Sequence, residues 1–414
     1  MNGSVKGNFR APAAAENESD VRPLTVAWVA EFPLEWMPDL PEPLRCLRKQ
    51  EPSTWMPVLL TGLENVSTLR LHVVTLRKRV QADFTFERNG VMFHVLKVPG
   101  GLRAPSLFWV DTLLIKRALR SIRPDLVHAW GTERGEAIIA SRLGYPYLIT
   151  VQGLMNWYKQ FAPLSVHQRL AARLETWGLR RAGRATVESS FGMTYLRDRY
   201  PRLQLQQIEH APNPVFHRLE RVPSLEPIRL INVGTVSHRK GTDLLLRALD
   251  RLVPEFPFEL TMVGTASTGG REALRREVSP KLWDRILFKS DLTPGELADE
   301  LAVATLKVLP TRADTSPNVV KEAVVAGVPV VASRVGGIPD YVFPERNGLL
   351  FPPGDLDGLV DALRAAVQHP LFGKGRVDPS TLESMRAYLS PALMAEKFLV
   401  LYRSMDGPKS GGRA

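Results

Sequence analysis

Cysteine is almost absent from this 414-residue sequence, and long apolar runs are absent altogether. The single cysteine, Cys46, excludes an internal disulfide, which agrees with a reducing compartment. We expect Cys46 to be a buried packing residue, because leucines lie close to it on both sides. No run approaches the ~18 apolar residues that a membrane-spanning helix needs. Residues 1–22 are polar and rich in alanine, without the apolar core of a secretory signal, so we expect a disordered tail and a cytoplasmic protein.

Several nucleotide-binding and metal-binding patterns are also missing. Neither half of the chain has a G-x-G-x-x-G motif after its first predicted strand, which argues against a nicotinamide enzyme. The Walker spacing of a P-loop is absent, and no cluster of histidine and cysteine has the spacing of a metal site.

Basic residues exceed acidic ones, 54 against 43, for a formal net charge of +11. This balance favours an anionic partner, such as nucleic acid, an anionic lipid or a phosphorylated substrate. Aromatic and basic residues do not interleave as they do in a groove for single-stranded nucleic acid, so we expect no nucleic-acid partner.

Short apolar runs alternate with helical periods along the whole chain, which predicts parallel sheets built from strand–helix–strand units. We predict an α/β protein with two Rossmann-like, doubly wound domains, residues 23–215 and 216–390, followed by a helix and tail over 391–414. The predicted strands are 24–30, 69–76, 91–98, 124–131, 147–151, 185–189, 228–234, 259–263, 286–288, 306–309, 328–332 and 348–351. The predicted helices include 44–49, 108–122, 136–143, 170–180, 242–252, 271–278, 296–304, 317–326, 356–367 and 392–403.

Residues 311–340 carry the first candidate site, at the start of a predicted helix. Ser316 is a good N-cap residue and Pro317 suits a first helical turn, so the free N–H groups that follow would attract a phosphate. Asp314 and Glu322 flank this helix start, where their carboxylates would accept hydroxyl hydrogen bonds on either side of the phosphate. A nucleotide-sugar has that layout. An ordinary strand–helix crossover with two solvated acids remains an equal alternative on this stretch alone.

The second candidate site is the loop from Gly234 to Gly241, between a strand and a helix start. Lys240 is the natural cation for a diphosphate, and Arg239 is a weaker candidate. The alternative is a solvated lysine. That alternative is disfavoured because a cation at a helix N-terminus opposes the helix dipole.

The second half resembles the donor domain of retaining glycosyltransferases of family four, which have the GT-B fold. The matching segments are VGTVSHRKGTDLLLRAL, ELTMVG, DTSPNVVKEAVVAGVPVVASRVGGIPDYV and NGLLF, with looser matches in PDLVHAWG, GYPYLITVQG and RATVESS. The resemblance implies two domains facing a central cleft, the first binding the acceptor, and a last helix that crosses back to the first domain.

Asp314 and Glu322 occupy the two positions of the family's E-x(7)-E motif. The resemblance therefore implies that Glu322 holds the donor ribose and that Asp314 lies near the transferred sugar. It also implies that Lys240 meets the diphosphate, so that Asp314 and Lys240 act in catalysis. The remaining donor-binding residues that it implies are Ser316, Pro317, Asn318, Val319, Gly234, Thr235 and Arg239.

Four positions depart from the family pattern. Asp314 replaces a glutamate, and Thr235 replaces an arginine, whose charge we expect Arg239 to supply. Gln152 replaces a histidine near the reacting centre, and a proline-rich segment from Glu31 replaces a glycine-rich loop. Glu31, Gln152 and His128 are the candidates on the acceptor side, although His128 at a strand end is more simply a packed histidine.

The resemblance implies a metal-independent, retaining transfer of a hexose from a nucleotide-diphosphate sugar, without a cofactor. The acceptor is a glycan, a lipid-linked molecule or a small molecule in glycan or polysaccharide biosynthesis. Arginines on the helix around residues 164–181 add the hypothesis of peripheral contact at the inner face of a membrane. Two alternatives stay open, a noncatalytic nucleotide-sugar-binding protein and a basic nucleic-acid-binding protein.

Overall fold

The computed structural model describes residues 22–47, 53–161, 165–266 and 269–406, which form two α/β halves. The first half contains β1 (Leu24–Val29), α1 (Trp55–Leu63), β2 (Leu69–Arg77), β3 (Phe84–Arg88), β4 (Val91–Lys97), α2 (Trp109–Ile122), β5 (Leu126–Trp130), α3 (Glu136–Leu143), β6 (Tyr147–Val151), α4 (Met155–Tyr158), α5 (Val166–Arg181), β7 (Arg184–Val187), α6 (Ser190–Arg199) and β8 (Gln204–Gln207).

The second half contains α7 (Pro214–His217), β9 (Ile228–Val233), α8 (Thr242–Leu252), β10 (Phe258–Val263), α9 (Gly270–Glu277), α10 (Pro280–Trp283), β11 (Ile286–Lys289), α11 (Pro294–Val303), β12 (Leu306–Leu309), α12 (Asn318–Ala326), β13 (Val330–Ser333), β14 (Gly348–Phe351), α13 (Leu356–Gln368), α14 (Pro379–Tyr388) and α15 (Pro391–Met405). The predicted boundary between residues 215 and 216 falls inside α7, whose Phe216 packs in the core of the second half.

Each half is built around one sheet. The first sheet has the order β3-β4-β2-β1-β5-β6-β7-β8, and the second has the order β11-β10-β9-β12-β13-β14. Among the strands in the described ranges, every pair is parallel except the hairpin β3–β4, which turns at Asn89 and Gly90 with positive φ at both residues. The predicted pair of doubly wound sheets is confirmed. We did not predict α1, β3, α6 and β8, nor the short helices α4, α7 and α10. Strand β3 is a half-exposed edge strand without a clear apolar run.

Helices cover both faces of both sheets, because central parallel strands expose apolar side chains on each face. In the second half, α8 and α13 cover one face, and α11 and α12 cover the other. In the first half, α2, α3 and α5 lie on one face, while α1 packs on the opposite face together with the last helix of the chain.

The last helix, α15, crosses back to the first half, as predicted. Phe398 and Tyr402 are fully buried among first-half core residues. The Tyr402 hydroxyl accepts a hydrogen bond from Trp28 Nε1 at 3.0 Å and lies 2.6 Å from His128 Nδ1. The fold therefore joins the two halves twice, at α7 and at α15.

Three local predictions were wrong. Helix α12 begins at Asn318 with Pro317 as its N-cap, and the Ser316 hydroxyl contacts the Tyr341 hydroxyl at 2.9 Å instead of capping the helix. Cys46 is exposed, because the chain around it lies in a surface turn. In place of a helix beginning at Leu44, a 3-10 turn ends there (Glu42–Leu44); residues 48 and 49 of that prediction lie outside the described residues, as does nearly all of the predicted tail.

Candidate active site

The two candidate loops of the second half meet because they follow neighbouring strands. β9 and β12 pair in parallel, so the loop after β9, with Lys240, and the loop after β12, with Asp314, share the carboxyl edge of the sheet. Lys240 Nζ donates a hydrogen bond to Asp314 Oδ2 at 2.6 Å. Both side chains are mostly buried, with 18% and 9% of their surface exposed. Lys240 and Asp314 are 74 residues apart in the sequence, but they form one ion pair in the site.

Glycines shape the loop that carries Lys240. Gly241 has a φ of +73°, and a Cβ there would come within 1.9 Å of the Pro310 carbonyl oxygen. Gly234 has a φ of +149°, and a Cβ there would contact the stem of Lys240 at 3.8 Å. Glycine at both positions lets the loop lie against the β12 edge and lets the lysine fold over its own strand end.

Arg239 points toward the first half. Its Nη1 donates to the Ala313 carbonyl at 2.9 Å, and its guanidinium lies 5.0 Å from the centre of the Tyr158 ring. Thr235 is exposed on the same loop. Arg239 thus makes one contact to the main chain of the Asp314 loop and one cation–π contact to Tyr158 of the first half.

Glu322 is 4% exposed on the second turn of α12. Burial raises its pKa to about 7, although Lys307 and Lys321 act to lower it, as does a hydrogen bond with the Thr54 side chain. Because Thr54 precedes α1, Glu322 is covered from the first half. The two acids of the motif therefore differ, since Asp314 forms a close ion pair with a lysine, whereas burial has the larger effect on Glu322.

Lys307 on β12 is a site residue that the sequence did not single out. Its side chain is fully buried, and its Nζ has no hydrogen-bond partner among the described residues. Burial lowers the pKa of Lys307 to about 7, while Glu322 acts to raise it and Lys240 to lower it. The available signal was a lysine inside the predicted buried strand LKVL, where a charged residue is costly.

The first turn of α12 presents main-chain N–H groups at the same edge. Asn318 and Val319 are half-buried, and the first intrahelical bonds run from Val320 and Lys321 to the Pro317 carbonyl. The first N–H groups of a helix have no partner within it, and they carry partial positive charge. An anion placed here would meet these groups, with Lys240 on the neighbouring loop.

Residue Thr315 joins the Asp314 loop to the first half. Its hydroxyl donates to the Gln152 carbonyl at 2.9 Å and lies 3.2 Å from the Tyr158 hydroxyl. Its carbonyl accepts from Ser189 Oγ at 2.8 Å. Gln152, predicted on the acceptor side, therefore contacts the donor loop through its main chain.

A buried ion network crosses between the halves beside α12. Lys321 Nζ lies 2.6 Å from Glu188 Oε2, and His210 Nδ1 lies 3.0 Å from Glu188 Oε1. Burial raises the pKa of Glu188, but His210 and Lys321 outweigh it and hold the pKa at about 2. We did not predict this network, because its members come from three separate segments of the chain.

The remaining acceptor-side candidates lie in different places. His128 is fully buried, with its Nε2 2.7 Å from Thr150 Oγ1, so it is a packed and hydrogen-bonded histidine of the core. Glu31 follows β1 and forms an ion pair with Arg134. Glu133, which we did not single out, accepts from Thr132 N at 3.3 Å, and burial raises its pKa. A Cβ at Gly153 would come within 2.2 Å of Glu133 Oε1, so Glu133 lies between the loops after β5 and β6.

Within the described ranges, no three His, Cys, Asp or Glu side chains are grouped as a metal site would require. Among the described helices, none has the length and apolar character needed to cross a bilayer.

Comparisons with known families match both halves. Residues 227–369 match the family described as "Glycosyl transferases group 1", and residues 66–213 match the "Glycosyl transferase 4-like domain". The 2-deoxystreptamine N-acetyl-D-glucosaminyltransferase of Streptomyces fradiae is 26% identical over 364 residues, which cover 79% of this chain and 85% of that enzyme. The sulfoquinovosyl transferase SQD2 of Arabidopsis thaliana is 34% identical over 163 residues, which cover 37% of this chain and only 30% of that enzyme.

Solved structures show the same fold. The sucrose-phosphate synthase of Thermosynechococcus elongatus superposes with a TM-score of 0.75 at 19% identity, covering 92% of this chain and 99% of that chain. Anabaena HepE in complex with UDP-glucose superposes with a TM-score of 0.67 at 14% identity, covering 92% of this chain and 100% of that chain. Two Rossmann-like domains of this kind define the GT-B architecture.

Proposed function

The chain belongs to the group 1 glycosyl transferases of GT-B fold, and on this premise we propose that it is a retaining hexosyltransferase. It takes a hexose from a nucleotide-diphosphate sugar in the cleft and transfers it to a glycan, a lipid-linked molecule or a small molecule. The observation that carries the proposal is the pairing of Lys240 with Asp314 at 2.6 Å, beside the start of α12.

A donor diphosphate would compete with Asp314 for the Lys240 ammonium. Once Lys240 turns to the phosphates, the Asp314 carboxylate is free to accept hydrogen bonds from hydroxyls of the transferred sugar. The N–H groups of Asn318 and Val319 add donors from the helix start. Ser316 and Pro317 hold this turn in place, and Gly234 lets Lys240 lie across the strand end.

Glu322 is suited to the ribose end of the donor. A carboxylate accepts two hydrogen bonds from a pair of neighbouring hydroxyls, and Glu322 lies about one turn along α12 from the N–H groups at the helix start. Its burial favours the neutral form, so the ribose hydroxyls and Lys307 would stabilise the charged one. Donor binding is thereby tied to the ionisation of Glu322.

In the transfer step the bond between the anomeric carbon and the diphosphate oxygen breaks. A bond from an acceptor hydroxyl oxygen forms on the same face, and the hydroxyl proton passes to the departing diphosphate. Charge grows on that diphosphate, where Lys240 and the α12 N–H groups already lie. Preorganised donors of this kind usually contribute the largest share of catalysis. We propose that they act without a metal ion or a cofactor.

A panel of UDP-, GDP- and ADP-sugars with a mass readout of the product tests the proposal. We expect turnover of at least one donor and its loss in Glu322→Ala. Glu383→Ala is the matched control, because Glu383 is an exposed acid on α14. Donor binding without any turnover would favour a noncatalytic nucleotide-sugar-binding protein. Absence of any nucleotide binding by calorimetry would contradict both.

We also propose that the enzyme works in the cytoplasm, with peripheral contact at the inner face of a membrane. The support is the helix α5, whose last turn carries Arg180 and Arg181. Co-sedimentation with anionic vesicles, compared with neutral vesicles at the same salt concentration, measures this contact.

A further inference from the structure

A cavity of about 740 Å³ opens at the carboxyl edge of the first sheet. The loops after four neighbouring strands, β4, β2, β1 and β5, form its walls. The strand order reverses between β1 and β5, and ligands of open α/β sheets bind at such a switch point. The Glu31–Arg134 ion pair joins the loops after β1 and β5 there. The cavity therefore lies where a ligand of the first half would bind, and none of the described residues that line it belongs to the Lys240 loop.

Cations dominate this cavity. Arg77, Lys78 and Arg79 follow β2, and Arg103 and Arg134 come from the loops after β4 and β5. The acids are fewer, namely Glu31 and Glu35 on the wall and Asp111 behind it, whose Oδ1 lies 2.5 Å from Arg103 Nε. Five cations against these three carboxylates leave a net charge of +2. Glu136 also lies behind Arg134, whose main-chain N–H donates to it at 3.1 Å, and burial raises the pKa of Glu136 to about 7, so its ionised form lowers the balance to +1.

The cations of the cavity differ in whether their charged groups already form hydrogen bonds and ion pairs within the protein. The guanidinium of Arg77 is held, since it donates to Thr75 Oγ1 at 2.9 Å and to the Phe32 carbonyl, and pairs with Glu35 at 3.4 Å. Arg77 is only 9% exposed. Its guanidinium is therefore largely removed from water at the wall of the cavity, which costs desolvation free energy. Lys78 and Arg79 are exposed, and the described residues include no ion pair for either.

We propose that this cavity binds a phosphate group of the acceptor, an inference that rests on the proposed transferase function. With Glu136 neutral, the net charge of +2 balances a phosphomonoester, which carries roughly −1.5 to −2 at pH 7, better than a single carboxylate. Arginine binds phosphate through two parallel hydrogen bonds, and Lys78 adds a point charge. The phosphate comes from either a soluble sugar phosphate or a lipid-linked one, and the chemistry is the same.

Calorimetric titration of the full chain with inorganic phosphate tests the site without any transfer reaction. We expect binding to the wild type, and a loss of about tenfold or more in the double variant Lys78→Gln/Arg79→Gln. The matched control is Arg275→Gln/Arg276→Gln, which removes two exposed neighbouring cations on α9 of the other half and should change affinity less than about twofold. Equal losses in the two double variants, no loss in the first, or no binding to the wild type would overturn the proposal.

Vesicles of phosphatidylcholine with and without phosphatidic acid distinguish the two sources of phosphate. Binding to phosphatidic acid that is lost only in Lys78→Gln/Arg79→Gln indicates a lipid-linked acceptor, and phosphate binding without vesicle binding indicates a soluble one. Vesicle binding that survives this variant, together with intact phosphate binding, contradicts the site.

The same variants separate this inference from the proposed function. Nucleotide-sugar affinity should be unchanged in Lys78→Gln/Arg79→Gln, since both residues belong to the first half. Failure of the wild type to bind any nucleotide-sugar would remove the proposed function, whatever the phosphate titration shows.

Discussion

Lys240 and Asp314 lie 2.6 Å apart, on loops that follow adjacent parallel strands. The ammonium that we propose to face the diphosphate and the carboxylate that we propose to face the sugar are thus partners of each other. Changes at the two residues should therefore act in opposite directions on the affinity for a nucleoside diphosphate.

Lys240→Met should weaken binding of the nucleoside diphosphate and lower kcat by about 10²–10³-fold, because the charge that stabilises the leaving group is lost. Asp314→Asn should leave diphosphate binding intact or tighten it, because it removes a competitor for Lys240, while lowering transfer. Calorimetry with the sugar-free nucleotide and steady-state kinetics measure the two effects. Lys289→Met is the control, since Lys289 forms a similar ion pair at the outer strand β11. If Lys240→Met and Asp314→Asn weakened nucleotide binding equally, Asp314 would not compete with the diphosphate for Lys240.

Donor affinity should rise with pH through about 7. Burial raises the pKa of Glu322 to about 7. In the proposed site it is the charged form of Glu322 that accepts the ribose hydroxyls. In Lys307→Met the midpoint should move to higher pH, because Lys307 is a cation that lowers the pKa of Glu322. Calorimetry between pH 5.5 and 8.5 measures both midpoints. A pH dependence that persists unchanged in Glu322→Gln would assign the titration to another group.

The same lysine should oppose folding at neutral pH. Burial lowers the pKa of Lys307 from 10.5 in the unfolded chain to about 7, so the unfolded state binds more protons between these values. The penalty is complete below pH 7 and disappears as pH rises toward 10.5. Lys307→Met should therefore raise the free energy of unfolding by about 1–3 kcal/mol at pH 7. Urea unfolding at pH 7 and pH 9.5 should show the gain shrinking at the higher pH.

The Glu188–Lys321 pair should stabilise the contact between the halves. The pKa of Glu188 is lowered to about 2, so its contribution is present above the unfolded value of 4.5 and is lost as pH falls toward 2. Lys321→Met should cost about 3–5 kcal/mol, because it leaves a buried carboxylate without its lysine. The double variant Glu188→Gln/Lys321→Met should recover part of this loss. Thermal unfolding from pH 2.5 to 6 measures the effect, and additive losses would contradict a direct coupling.

Tyr402→Phe should destabilise the protein by about 1–3 kcal/mol, because Trp28 Nε1 and His128 lose a buried partner. Donor affinity at the second half should stay unchanged. Chemical denaturation, together with nucleotide calorimetry, checks both statements. Ser404→Ala near the exposed end of α15 is the control, and a similar loss there would indicate a general effect of the helix.

Local sequence predicted most of the strands and longer helices, and it singled out the candidate donor-binding residues. The short, mostly apolar segments of β9 and β13 form central parallel strands, because parallel strands covered by helices on both faces need apolar side chains on each face. Asp314, Glu322 and Lys240 were found because their positions relative to helix starts are set by spacing along the chain. The order of strands and helices predicted the doubly wound sheets for the same reason.

Tertiary structure decided what those residues touch. The Glu188–Lys321 pair and the position of Glu133 depend on segments far apart in the chain, and no local pattern encodes them. Ser316 illustrates the difference, since its local preference for capping a helix yields to a hydrogen bond with Tyr341.

The charge of the cavity at the carboxyl edge of the first sheet is likewise a tertiary property. Arg77, Arg103 and Arg134 are scattered in the sequence, and they share one space only because parallel strands bring their loops to a common edge.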